Sequence, residues 1–207
     1  MMKLIWLIAF IVGCLLNLAT SSMLPYGPGY DTNTGINCDD CAVGFSLPVP
    51  LNFFNVQYNA FYISSNGVIS FNGGVTQYTP VAFPITNVPS ICPYWGDMDF
   101  RSGGTVWYRI VTPGDPVENT KVRNVFAESI IATLNVVVTW DNVGYFSRKT
   151  DKLNTVQCEI ISDGFKTYVF FNYPVNGIQW TTGDASGGSG GLGGTPAQVG
   201  FDGGDRM

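Results

Sequence analysis

The sequence predicts a mainly β fold: an antiparallel β-sandwich-like domain with one helical insertion. Aromatic residues make up 14% of the chain and 25 of its 207 residues are glycine, a composition that favours strands and turns over a helical bundle. Two turn dipeptides, Asn66-Gly67 and Asp163-Gly164, each separate two β-rich segments and therefore predict hairpins. A helix start signal at Asp115 lies between these hairpins.

An irregular entry segment, residues 23–44, is rich in Pro, Gly, Asn and Asp and precedes the strands. Strand character begins at Phe45. The first hairpin pairs residues 61–65 with 68–71, and we expect a type I′ turn because Asn and Gly both tolerate positive φ. The continuous apolar or β-branched runs of the middle region predict further strands at residues 91–95, 105–110 and 135–140.

The single helix is expected to follow Asp115, which is its predicted N-cap, and to end near Glu128. Pro116 occupies the first helical position, and Glu118 is placed to reach back to the cap. Spacings of three and four put three apolar residues on one face, namely Val122, Val125 and Phe126.

The last hairpin runs from residues 155–162 through Asp163-Gly164 to residues 165–173. Alternation in its first strand places Val156, Cys158 and Ile160 on one face. Residues 183–194 contain seven glycines, which predicts a flexible loop. The letters of a G-x-G-x-x-G motif occur at 188–193, but no strand precedes them and no helix follows, so we predict no dinucleotide and no other cofactor.

Residues 1–22 are predicted to be a secretory signal peptide. Lys3 precedes an apolar run of about 15 residues, shorter than the roughly 20 that a membrane-spanning helix needs. Small residues follow, and cleavage is expected near Ser21 or Ser22. We therefore expect a secreted chain with no membrane span after removal of the signal.

The charge and the residue types argue for a binding module that is not an enzyme. Net charge is −5 and charged residues form only 12% of the chain, with no basic cluster, so a nucleic-acid partner is not expected. The chain has no histidine, which removes the commonest general base and the Ser-His and Cys-His nucleophile pairs. No catalytic residues are predicted.

The cysteines predict disulfides in an oxidising compartment. With the signal peptide removed, Cys38, Cys41, Cys92 and Cys158 remain, and four cysteines allow three pairings. We favour Cys38–Cys41, which are close in sequence, together with Cys92–Cys158, which lie in separate predicted strands. A redox C-x-x-C motif is disfavoured because Asp39 and Asp40 between the cysteines oppose thiolate formation.

Asp97 and Asp99 form the one candidate metal pair, since alternation places both carboxylates on one side of an extended segment. They provide two of the six to eight oxygens that calcium takes. The alternative is that both satisfy turn amides or pair with Arg101. Tryptophans inside apolar strands are expected in the core, although they also suit sugar stacking: these are Trp95, Trp107, Trp140 and Trp180.

Several short motifs occur in a characteristic order along residues 45–206. Three of them are at residues 62–71 (YISSNGVISF), 93–99 (PYWGDMD) and 138–145 (VTWDNVGY). Others lie at 78–80, 83–84, 106–109, 153–157, 162–164, 171–173, 177–183 and 196–201. Their order and spacing resemble the NIDO domain, the extracellular module of nidogen and alpha-tectorin, and the alpha-tectorin-like type is the most similar.

The resemblance implies a NIDO domain at residues 45–207 and a non-catalytic role in extracellular matrix, in cell–matrix adhesion or matrix assembly through protein–protein contacts. The expected partners are matrix proteins, with self-association as a further option. Because the domain of that family usually continues further, the resemblance predicts truncation of its C-terminal end. The alternative function is a calcium-dependent or glycan-binding extracellular module that uses Asp97, Asp99 and exposed aromatics.

Overall fold

The computed structural model describes residues 23–85 and 87–204, so the predicted signal peptide lies outside the described residues. These residues form eleven strands, one α-helix (α1, Pro116–Phe126) and two 3₁₀ helices (Phe100–Ser102 and Asp184–Ser186). The strands are β1 Thr32–Asn33, β2 Ala42–Phe53, β3 Val56–Ser64, β4 Ile69–Ser70, β5 Ser90–Trp95, β6 Met98–Asp99, β7 Thr105–Val111, β8 Leu134–Tyr145, β9 Lys149–Ser162, β10 Thr167–Asn172 and β11 Gln198–Asp202.

Two antiparallel sheets face each other, which confirms the predicted mainly β, sandwich-like fold with one helix. The first sheet has the order β1-β7-β8-β9-β10, with β6 also paired to β8, and the second has the order β11-β5-β4-β3-β2. Alternate residues of each strand point into the space between the sheets. On β8 and β9 these include Val136, Val138, Val156, Cys158 and Ile160, as the alternation in the last hairpin predicts.

Both predicted hairpins are present. In the first, β3 pairs with β4 through Ile63 and Ile69, and the Ser64 amide donates to the Val68 carbonyl at 2.8 Å. Of the two turn residues only Gly67 has a positive φ, 74°, so the expected type I′ turn does not form. The second hairpin pairs β9 with β10 around Asp163-Gly164.

Helix α1 begins as predicted, with the Asp115 side chain accepting a hydrogen bond from the Val117 amide at 2.9 Å. Glu118 does not reach back to the cap, because it is buried beneath the helix and hydrogen-bonds Glu159. Of the three apolar residues expected on one face, Val122 is buried, whereas Val125 and Phe126 are exposed. The helix covers the outer face of the first sheet, where Val122 packs with Ile161 and Tyr168.

The entry segment covers another part of that outer face. It is irregular except for β1 and the start of β2, which begins at Ala42, three residues before the predicted Phe45. Leu24 is held there by the buried side chain of Gln157, which accepts from the Leu24 amide at 2.8 Å. Among the described residues, no helix combines the length and the hydropathy needed to cross a membrane.

The cysteines confirm one predicted pair and correct the other. Cys38 and Cys41 form a disulfide, whereas Cys92 and Cys158 are both buried and free. Cys158 faces the core between the sheets, as does Ile91, the neighbour of Cys92. Cys92 therefore points to the opposite face of the second sheet, where it packs with Val68 and Trp95. The predicted Cys92–Cys158 disulfide is wrong because a sheet lies between the two thiols.

Candidate functional site

Asp97 and Asp99, the predicted metal pair, lie close in sequence but have different environments. The Asp99 carboxylate accepts hydrogen bonds from the Arg101 amide at 3.0 Å, Arg101 Nε at 2.8 Å and the Arg148 amide at 2.8 Å. Burial acts to raise the pKa of Asp99, but these donors outweigh it and the pKa is lowered. Asp99 is thus the partner of Arg101 at the end of a strand, as the alternative predicted. The predicted Asp97–Asp99 metal pair is therefore corrected, because the Asp99 oxygens are engaged by Arg101 and Arg148.

Asp97 is buried, with only 1% of its surface exposed, and neither carboxylate oxygen accepts a hydrogen bond from any described residue. Burial and the nearby carboxylates of Asp39, Asp40, Asp99 and Asp184 raise the pKa of Asp97 to about 7. A buried carboxylate without donors is costly, since an uncompensated ion loses its hydration. In its ionised form this residue therefore lacks a compensating partner among the described side chains.

A four-residue disulfide loop carries the carboxylates that face Asp97. The Cys38–Cys41 bond closes this loop, which is tied to the first hairpin because the Cys41 amide donates to Ser65 Oγ at 3.0 Å. The loop presents Asp39 and Asp40 in succession. One oxygen each of Asp39, Asp40 and Asp97 lie within 4.8 Å of one another. We refer to these three residues as the acidic cluster.

Each aspartate of the disulfide loop has one oxygen held by a neighbour. Asp39 Oδ2 lies 2.8 Å from the Arg101 guanidinium, whereas Asp39 Oδ1 is buried without a donor in the described chain. Asp40 is exposed, and its Oδ1 accepts from Asn66 Nδ2 at 2.7 Å. Asn66 Oδ1 in turn accepts from the Met98 amide at 3.1 Å, so the Asn66 side chain fixes Asp40 relative to the strand that follows Asp97.

The glycine-rich segment after Trp180 forms another wall of the site. A Cβ atom on Gly183 would lie 2.4 Å from both Cβ and Oδ2 of Asp97, so only glycine permits this close approach. Its neighbours Thr182 and Asp184 each have a buried oxygen, Oγ1 and Oδ1, with no hydrogen bond within the described residues. The loop predicted from glycine content thus packs directly against Asp97 through Gly183.

The arrangement offers oxygen ligands and little else. Aspartate and threonine oxygens are the ligands that hard divalent cations take, and zinc or copper would favour imidazole or thiolate ligands. Both sulfurs of the neighbouring cysteines are bonded to each other. The site is therefore suited to binding a cation.

The tryptophans occupy core positions. Trp95, Trp140 and Trp180 are at most 2% exposed, and Trp107 is half-buried, which confirms the core interpretation for the first three. The indole nitrogens of Trp140 and Trp180 donate to the carbonyls of Ser64 and Val143. These three rings offer no free face to a sugar, so the glycan-binding alternative keeps only Trp107 of the four tryptophans that suggested it.

Asp39, Asp40 and Gly183 were not predicted as site residues. Asp39 and Asp40 carry a usable signal, since a disulfide across Cys-Asp-Asp-Cys confines two carboxylates to one short loop. Gly183 lies in a segment whose sequence indicates only a loop. What brings these residues to Asp97 is tertiary packing, which no local pattern encodes.

Comparison with known proteins identifies the relatives of this chain. Residues 59–207 match the family model described as a nidogen-like domain. Alpha-tectorin of Gallus gallus is 38% identical over 195 residues, which cover 90% of this chain and 9% of that protein. Nidogen of Drosophila melanogaster is 33% identical over 170 residues, covering 79% of this chain and 12% of that protein. Nidogen-2 of Mus musculus is 32% identical over 178 residues, covering 79% and 13%.

Identity is higher to alpha-tectorin than to either of these nidogens, in agreement with the predicted alpha-tectorin-like type. The chain spans between 9% and 13% of the length of these three relatives. No solved structure matches the chain.

Proposed function

Because the chain belongs to the nidogen-like domain family, we propose that it is a secreted extracellular-matrix module for cell–matrix adhesion or matrix assembly. It acts through protein–protein contacts. The observation that carries this proposal is the family membership. The alignment with alpha-tectorin of Gallus gallus covers 90% of this chain.

The proposed extracellular location has two further supports. The order of a basic residue, an apolar run and small residues in positions 1–22 is that of a secretory signal. The Cys38–Cys41 disulfide is of a kind that persists in oxidising compartments and is rare in the cytosol.

We propose that the module is not an enzyme. The chain has no histidine to act as a general base. The side chains that approach Asp97 are carboxylates, which suit ion binding and provide no activated nucleophile.

An apolar cleft on the surface of the described residues suits a protein partner. Ile131 and Phe165 are 80% and 84% exposed and line this cleft together with Ser129, Ile130 and Asp163. Two large apolar side chains in one polar-rimmed recess are typical of the central part of a protein interface. We propose this cleft, formed before β8 and at the β9–β10 turn, as the contact surface for a matrix protein.

The test uses the secreted chain as bait on native extracellular matrix, with crosslinking and mass spectrometry. The protein identified is then expressed and its affinity measured by surface plasmon resonance. The double variant Ile131→Ser, Phe165→Ser should weaken binding by about tenfold or more, since central apolar residues dominate interface energies. The matched control is Val175→Ser, which changes an 87% exposed residue at the other end of β10.

Equal affinities of the double variant and the control would overturn the proposed surface. Absence of binding to any matrix protein at micromolar concentrations would overturn the proposed function. Sedimentation equilibrium of the same samples separates the two kinds of partner, because self-association through this cleft would disappear in the double variant.

A further inference from the structure

The acidic cluster contains more buried oxygen atoms than the described residues can satisfy. Both oxygens of Asp97 and Oδ1 of Asp39 are buried without a hydrogen-bond donor from the described chain. Buried polar atoms are nearly always paired in folded proteins. A group of them around one fully buried carboxylate indicates a ligand that supplies positive charge.

The nearby cation cannot serve Asp97. The guanidinium of Arg101 is engaged with Asp99 and with Oδ2 of Asp39. Neither of these pairs involves an oxygen of Asp97. The carboxylates of Asp39, Asp40, Asp99 and Asp184 all act on Asp97 and disfavour its ionised form.

We propose that the acidic cluster is a calcium site, in which Asp97 supplies both carboxylate oxygens and Asp39 and Asp40 supply one each. Gly183, whose lack of a side chain lets the glycine-rich segment pack against Asp97, closes the site on another side. Calcium takes about six to eight oxygens in flexible geometry, so these residues together with water meet its requirement.

Calcium fits this site better than the other common divalent cations. Magnesium demands a near-ideal octahedron, keeps several waters and is usually held by one or two carboxylates. Zinc and copper prefer nitrogen and sulfur ligands, and the chain has no histidine. Exposed Asp40 leaves the site open to solvent, which provides an entry path for the ion.

The proposed ion links two distant parts of the chain. The disulfide loop carries Asp39 and Asp40, and the β5–β6 junction carries Asp97. Binding would therefore hold the end of the sandwich together. This inference is independent of the proposed matrix contact, because the ion binds to the isolated chain.

The test compares the secreted chain with Asp97→Asn and Asp40→Asn at neutral pH, by calorimetric calcium titration and by thermal unfolding. The probe is calcium chloride at about 10 mM, at least tenfold above the 10⁻⁴–10⁻³ M dissociation constants usual for extracellular modules. Relative to EDTA, calcium should raise the midpoint of the wild-type chain by about 3–6 °C. Both variants should bind calcium about tenfold more weakly or not at all.

Asp97→Asn has a signature that a purely structural role would not give. In EDTA its midpoint should rise by about 2–4 °C, because the amide removes a buried unpaired charge. In calcium the order should reverse and the wild-type chain should be the more stable. Asp40→Asn, at an exposed position, leaves the fold intact and reports on affinity alone. Asp163→Asn in the β9–β10 turn is the matched control and should keep the full calcium response.

Terbium luminescence gives a second measurement at the same place. The Trp180 ring comes within 3.4 Å of a Cβ atom built on Gly96, next to Asp97, so terbium in the cluster should be sensitised by indole excitation and displaced by calcium. The proposal is overturned if the wild-type chain shows neither binding heat nor a midpoint shift with calcium. It is also overturned if magnesium chloride gives an equal shift, or if Asp97→Asn and Asp40→Asn retain wild-type affinity.

Discussion

Buried carboxylates occur in two regions of the molecule, and the two regions neutralise them differently. Beneath helix α1, Glu159 is fully buried and forms an ion pair with Lys121, whose ammonium also lies 4.3 Å from the centre of the Phe170 ring. Burial and the neighbouring Glu159 raise the pKa of Glu118, which hydrogen-bonds Glu159. We refer to Glu118 and Glu159 as the glutamate pair.

In the acidic cluster Asp97 has no corresponding partner. No described lysine or arginine pairs with Asp97, and no described donor reaches its oxygens. In the glutamate pair Lys121 forms an ion pair with Glu159, although Glu118 Oε2 and Glu159 Oε1 are also buried without a hydrogen-bond partner among the described residues. The comparison teaches that burial alone does not identify a ligand site. The distinguishing feature is a buried acid whose charge nothing in the surrounding chain balances.

The largest effect is expected from removing the lysine of the glutamate pair. Lys121→Met keeps the aliphatic stem but leaves Glu159 buried and unpaired, which should lower the free energy of unfolding by about 2–3 kcal/mol at pH 7. Urea denaturation measures this loss. The control is Lys166→Met, which breaks the exposed pair with Glu128 and should cost no more than about 1 kcal/mol. Equal losses in the two variants would contradict the assignment of Lys121 as the essential counter-ion.

The disulfide loop of the acidic cluster gives the next effect. Replacing both Cys38 and Cys41 by alanine removes the constraint on a four-residue loop, which should cost about 2 kcal/mol in the chain-entropy model. Calcium affinity should fall as well, because Asp39 and Asp40 lose their fixed positions. Denaturation in EDTA measures the first effect and calorimetric titration the second. An unchanged calcium affinity would show that the loop does not position the ligands.

The smallest effect concerns the pH dependence of the glutamate pair. The charged groups that act on Glu118 are Glu159, Lys121 and Asp115. Since the pKa of Glu118 is raised in the folded chain, its contribution to stability is present below its ordinary pKa and is lost as pH rises through the raised value. The free energy of unfolding of the wild-type chain in EDTA should therefore fall between pH 5 and pH 8.5. In Glu118→Gln this fall should be smaller by about 1–2 kcal/mol.

Comparison of the variant with the wild-type chain isolates Glu118 from other titrating groups such as Asp97. Urea denaturation at the two pH values is the measurement, and Glu128→Gln, in the exposed ion pair, is the control. If Glu118→Gln left the pH dependence unchanged, Glu118 would be ionised in the folded chain and the two acidic regions would be alike.

Features set by nearby residues were predictable from the sequence. The turn at Asp163-Gly164 and the Asp115 N-cap each depend on residues within a few positions, so composition and spacing suffice to place them. The same local pattern failed for Glu118. Its position at N3 favours a capping box, but packing of the helix on the sheet directs the side chain towards Glu159.

Features set by the pairing of distant residues were not predictable. The pairing Cys92–Cys158 was chosen because both residues lie in apolar strands, yet only the packed sheets show that Cys92 faces away from the core that contains Cys158. Likewise, Asp97 and Asp99 were paired from their spacing alone. The structure shows that Asp99 accepts hydrogen bonds from the Arg101 side chain and the Arg148 amide. The carboxylates that lie beside Asp97 are those of Asp39 and Asp40.

The sequence by itself determined the β-sandwich class, the hairpins, the start of the helix and membership of the nidogen-like family. These follow from periodicity, turn chemistry and the order of motifs, which are properties of short stretches of chain. Tertiary structure decided which carboxylates meet, which thiols are separated and which charges remain unbalanced. The physical reason is that a charge's free energy depends on the donors, cations and water around it, and folding brings these from distant segments.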